Sequence, residues 1–140
     1  MNKQLAVNGM SVLIFRISLS GIFVSAGMTH LLNPAGAAER IQAVASNSFA
    51  SFFGDPYLLV LLSGYALLIG GIALLLGIFP RWAALGLFFV LIPITISIQF
   101  GNGIMHGPLW KNVALFGGLI FFIINNPKAY SIYNNKIVKK

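Results

Sequence analysis

The sequence predicts an all-α integral membrane protein built as a four-helix bundle, and three observations carry that expectation. Four long apolar runs, at residues 11–32, 57–79, 83–100 and 113–124, occupy most of the 140-residue chain. Hydrophobic residues make up 58% of the chain and charged residues only 8%, whereas a soluble domain carries about 25% charged residues. A bilayer core about 30 Å thick takes about 20 apolar residues per helical span. The first three runs meet that length, and the fourth meets it as 110–127. The expected organisation is therefore a single transmembrane domain over 1–140 with spans at 11–32, 57–79, 83–100 and 110–127.

The charge pattern orients the spans. Lys3, Arg81, Lys128, Lys136, Lys139 and Lys140 fall on one side, whereas Arg40, Lys111 and both acids, Glu39 and Asp55, fall on the other. Basic residues collect on the cytoplasmic side of membrane proteins, so both termini are expected in the cytoplasm. The same rule accounts for the net charge of +7. Basic residues concentrated in a tail, with no aromatic-interleaved patch, argue against nucleic acid as a partner; the lipid bilayer is the expected one. The first span is long for a signal peptide and contains Arg16, so a retained helix is expected.

Local signals place the elements. Pro34 suits the start of a helix. Ile41, Val44, Ala45, Phe49 and Phe52 then recur at helical spacing among Glu39, Arg40, Gln42 and Asn47. This reads as a short amphipathic helix in the first outer loop, lying on the membrane interface or covering the bundle mouth as a lid. Pro80 is read as ending the second span, with 80–82 a tight cytoplasmic turn into the third. Pro93 is expected to kink the third span. Small residues expected at helix contacts are Gly21 with Ser25, Gly64 with Gly71, Gly70 with Gly77, and Gly117-Gly118.

Threading the spans through this topology collects polar residues towards the outer end: His30, Gln99, Asn102, His106, Lys111 and Asn112, with Tyr65 deeper. Polar groups in hydrocarbon are costly and usually face the bundle interior or a wet cavity. The candidate ligand-binding residues are therefore His30, Tyr65, Gln99, Lys111 and Asn112. Arg16 lies about four residues inside its span, where it either snorkels to headgroups or serves as an interior polar anchor. Each binding candidate also has a structural alternative: His30 as an interfacial tip, Tyr65 as a packed aromatic, Lys111 and Asn112 as helix-start residues. The chain has no cysteine, which excludes disulfides and thiolate ligation. Two histidines without nearby carboxylates make a poor metal site, so no metal is expected.

The stretch from Arg16 through Gly21-Ile22-Phe23 to Ala26-Gly27, with His30 near the helix end, resembles the first helix of DoxX-type membrane proteins. Gly70-Gly71-Ile72-Ala73-Leu74-Leu75-Leu76-Gly77 followed by Arg81 is similar to that family's second helix and turn. Lys111-Asn112-Val113-Ala114-Leu115-Phe116-Gly117-Gly118 resembles the start of its fourth helix. Many members carry a glutamate near the position of Tyr65, and this chain has none there. The resemblance implies a small bacterial inner-membrane protein that serves as a subunit of a respiratory or redox assembly. No cofactor would be intrinsic, but a quinone would be contacted by His30, Tyr65, Gln99, Lys111 and Asn112. The alternative is a non-catalytic accessory protein that binds another membrane protein. If an enzyme at all, it would be one subunit of a quinone-linked oxidoreductase.

Overall fold

The computed structural model describes residues 7–43, 55–96, 105 and 107–132, and the long elements among them are helices. In chain order the elements are α1 (Gly9–Leu32), α2 (Pro34–Ala43), α3 (Pro56–Leu76), α4 (Pro80–Ile94) and α5 (Gly107–Asn125). Helices α1, α3 and α5 are each long and apolar enough to cross a membrane, whereas α4 is a shorter apolar helix. At 1.5 Å per residue, the 15 residues of α4 rise about 22 Å. Of the expected third span, residues 97–100 lie outside the described residues.

Each start and stop has a local cause. The Asn8 side chain accepts from the Met10 N–H and caps α1. The Asn33 side chain accepts from the Gly36 N–H and opens α2, with Pro34 at its first turn as the sequence suggests. Asp55 caps α3 through the Tyr57 N–H, with Pro56 following. The α3–α4 turn lies earlier than expected. Gly77 closes α3 in the left-handed conformation at φ 70°, and Pro80 opens α4 instead of ending α3. The reason is the usual asymmetry of helix ends: glycine tolerates positive φ just past a C-terminus, and proline sacrifices no hydrogen bond in a first turn.

The long helices form a ring. α1 packs along α3, α3 against α4, and α4 against α5. Phe15 stacks on Phe122 with centroids 5.5 Å apart, which closes α5 back onto α1. Phe23, Leu67, Leu87, Leu119 and Phe122 fill the centre. The α1–α3 contact depends on Gly27 and Gly64. A Cβ on Gly27 would lie 2.7 Å from the Leu68 backbone nitrogen, and one on Gly64 would lie 2.9 Å from the His30 Cβ. In lipid, such close approach is what gains dispersion energy between helices. The expected Gly21–Ser25 contact is not made: both residues are exposed, and nothing lies within 4 Å of a Cβ on Gly21. Gly27, two residues after Ser25, takes that role. Likewise Gly118 packs on Leu19 and Phe15, whereas Gly117 faces outward.

At the end of the bundle opposite α2, the chain after α5 folds back beneath the helices. Arg16 is 1% exposed and holds this segment. Its Nη2 donates to the Tyr130 carbonyl at 2.7 Å, and its Nη1 donates to the Ala129 carbonyl at 3.1 Å and the Ser131 hydroxyl at 3.3 Å. The Ile132 N–H donates to the Leu76 carbonyl at the end of α3. Of the two sequence readings of Arg16, the structure shows the interior one. Its Nε and the Ser20 hydroxyl one turn later are buried and have no partner among the described residues. An unpaired buried hydroxyl costs stability, so Ser20→Ala is expected to leave stability unchanged or raise it by about 1 kcal/mol. Thermal unfolding in detergent checks this; a clear loss would mean that the hydroxyl is bonded in solution.

Candidate functional site

Apart from Arg16 and Ser20, the buried polar side chains, Thr95 and Asn112, lie at the α2 end, with His30 beside them. Here α1 and α3 meet the C-terminal part of α4 and the start of α5, and a cavity of about 290 Å³ opens between them. Its apolar walls include Phe23, Leu67, Leu91 and Leu115; its polar lining is Thr29, His30, Lys111 and Asn112. Ala37 of α2 completes one side, and Ala38 beside it is buried. α2 thus packs against α3 and α1 beside the cavity. Val44, Ala45, Asn47, Phe49 and Phe52 lie outside the described residues.

Two short relays fix the polar groups. His30 Nδ1 lies 2.9 Å from the Ser63 hydroxyl, which donates to the Val60 carbonyl at 2.9 Å. Asn112 Nδ2 donates to the Thr95 hydroxyl at 3.0 Å, which donates to the Leu91 carbonyl at 2.8 Å. In each, a hydroxyl bonded to its own helix tethers a side chain from another helix. Thr95 lies two residues after Pro93, where α4 ends. Lys111 makes no ion pair among the described residues; it lines the cavity and is exposed.

Three of the five binding candidates, His30, Lys111 and Asn112, therefore share one cavity. Tyr65 does not join them. It is 57% exposed on the outer surface of α3, because at 100° per residue it sits about 200° round the helix from Ser63. Gln99 lies outside the described residues, as do Asn102 and His106. Ser63 and Thr95 are the residues that sequence reasoning passed over as site members. The signal for Ser63 was its place beside the buried stripe Val60–Gly64–Leu67 of α3.

The arrangement offers a cation, an imidazole and an amide over an apolar floor, without a carboxylate among the lining residues. Such a site suits one ring-sized ligand with polar substituents. A volume near 290 Å³ is at the lower edge of the ~300–1,000 Å³ typical of small-molecule sites, so any long tail must leave between the helices. A second groove, between α3 and α4 near the tail end, is lined by Gly70, Ala73, Ala83 and Gly86 with Trp82 at its side. It presents no charged side chain and is the weaker candidate. No group of three or more histidines and acids that could hold a metal occurs among the described residues.

The sequence model of the DoxX family matches residues 11–100. The chain is 29% identical over 123 residues to the inner membrane protein YqjF of Escherichia coli (strain K12), covering 86% of this chain and 88% of that protein. No solved structure matches.

Proposed function

Because the chain belongs to the DoxX family, we propose that it is a small inner-membrane subunit of a respiratory or redox assembly and that it holds the ring of a quinone between His30 and Lys111. The name of the Escherichia coli relative supports the inner membrane as its location. The distribution of basic residues supports placing the cavity in the periplasmic half. The observation that carries the reading is the convergence of His30, Lys111 and Asn112 on one cavity. The oxygens of the ring lie against His30 and Lys111, and its prenyl tail passes between helices into lipid. With no cysteine in the chain, this role is binding and positioning, and electrons are exchanged with a partner protein.

Purification in mild detergent, followed by extraction and identification of bound lipids and proteins, tests this. A near-stoichiometric quinone is expected, reduced about tenfold or more in His30→Ala and Lys111→Ala, since tenfold corresponds to about 1.4 kcal/mol of lost contact. A stable protein partner with no quinone would support the accessory reading instead. That reading has one observation in its favour: Gly21, Gly86 and Gly117 are exposed, with open space beyond them. Small residues on a lipid-facing surface allow another helix to approach closely.

A further inference from the structure

We infer that Ser63 fixes the tautomer of His30 and thereby makes the cavity selective for the reduced, hydroxyl-bearing form of its ring ligand. This inference rests on the quinone reading and adds to it the oxidation state that the site prefers. The Ser63 hydroxyl has one hydrogen and two close neighbours, the Val60 carbonyl at 2.9 Å and His30 Nδ1 at 2.9 Å. If that hydrogen went to Nδ1, the Ser63 and Val60 oxygens would face each other at hydrogen-bond distance with no hydrogen between them. Only one assignment makes both contacts hydrogen bonds: Ser63 donates to Val60, and His30 Nδ1–H donates to Ser63. A neutral imidazole protonated at Nδ1 carries its lone pair on Nε2. With Nδ1 committed to α3, Nε2 is the nitrogen left for the cavity, and it has no partner among the described residues.

An acceptor at that position discriminates between ligands. A phenolic or hydroquinone hydroxyl donates to Nε2, and its other oxygen accepts from the Lys111 ammonium. A quinone carbonyl turned to Nε2 would set two lone pairs against each other and would be left with Lys111 alone. Ser63 is therefore a positioning residue: it touches no ligand and acts through the imidazole.

The test uses the full-length protein in lipid nanodiscs, with nitrogen-15 histidine and a short-chain ubiquinol and ubiquinone as probes. Wild type is expected to show the Nδ1–H tautomer in the histidine signal that disappears in His30→Gln. Ubiquinol is expected to bind about three- to tenfold tighter than ubiquinone, the range that one net hydrogen bond supplies. Ser63→Ala is expected to mix the tautomers and abolish the preference, and Ser63→Thr to restore both. An Nε2–H tautomer in wild type, or ubiquinone binding as tightly as ubiquinol, would overturn the inference and leave the quinone reading standing. Binding of neither probe would overturn both.

Discussion

Arg16→Gln is expected to release the 126–132 segment from the bundle and to lower stability by about 3 kcal/mol. The side chain makes two bonds to carbonyls and one to a hydroxyl, and hydrogen bonds to a charged group are worth about 1.5–3 kcal/mol each. The net loss falls below the sum, at least about 4.5 kcal/mol for three such bonds, because the substitution also removes the unpaired Nε. The bonds hold backbone that would not otherwise rest there: Tyr130 is a non-glycine residue at φ 53°, a conformation that costs about 1–2 kcal/mol. Its carbonyl accepts the shortest of the Arg16 bonds. The readouts are thermal unfolding in detergent and limited trypsin cleavage after the exposed Lys128, detected by intact mass. Cleavage there should accelerate severalfold in the variant. Arg16→Lys should recover only part of the loss, since a single ammonium cannot span Ala129 and Tyr130 as the guanidinium does. Unchanged cleavage and stability would mean that the segment is held by other contacts.

Gly27→Leu is expected to have the second large effect, separating α1 from α3. The nearest atoms to a Cβ at Gly27 are backbone, the Leu68 nitrogen at 2.7 Å and the Gly64 oxygen at 2.9 Å. A flexible side chain can move aside, but packed helix backbone cannot without shifting the whole helix. Overpacking in a tight core costs about 1–3 kcal/mol, and this case belongs at or beyond the upper end. Because α1 and α3 also form two walls of the cavity, ligand retention should fall together with stability. Gly21→Ala is the matched control on the same helix. With nothing within 4 Å of its Cβ, it should be neutral or gain about 0.5–1 kcal/mol from the better helix former. Size-exclusion profiles and thermal unfolding of the two variants in one detergent make the comparison. Equal behaviour would contradict the assignment of Gly27 to the interface.

Much of this was readable from residues alone, and what was not has identifiable causes. Hydropathy fixes which segments enter a membrane, and span direction fixes the height of each polar residue along the bundle. That sufficed to bring His30, Lys111 and Asn112 to one end. Height says nothing about azimuth, which is why Tyr65 was grouped with them although it faces outward. The same limitation put Gly21 and Ser25 at the helix contact in place of Gly27. Arg16 could be recognised as an anchor, but its partners are main-chain carbonyls of residues more than a hundred positions away, and carbonyls carry no sequence signal. Ser63 and Thr95 were unremarkable as isolated hydroxyls. They matter because each donates to its own helix and so becomes an acceptor for a neighbour. Pro80 was legible as a boundary, but proline marks starts as well as ends; Gly77 three residues earlier was the residue that marked the stop.

The central claim is that His30 and Lys111 face a single ligand chamber at the α2 end. Photolabelling of the protein in membranes with a photoreactive short-chain quinone, followed by peptide mapping, tests it most directly. Adducts are expected on α1 near residues 22–30 and on α5 near residues 111–115, and excess unlabelled quinol should suppress them. Adducts concentrated on the outer surface of α3 around Tyr65, insensitive to competitor, would contradict it.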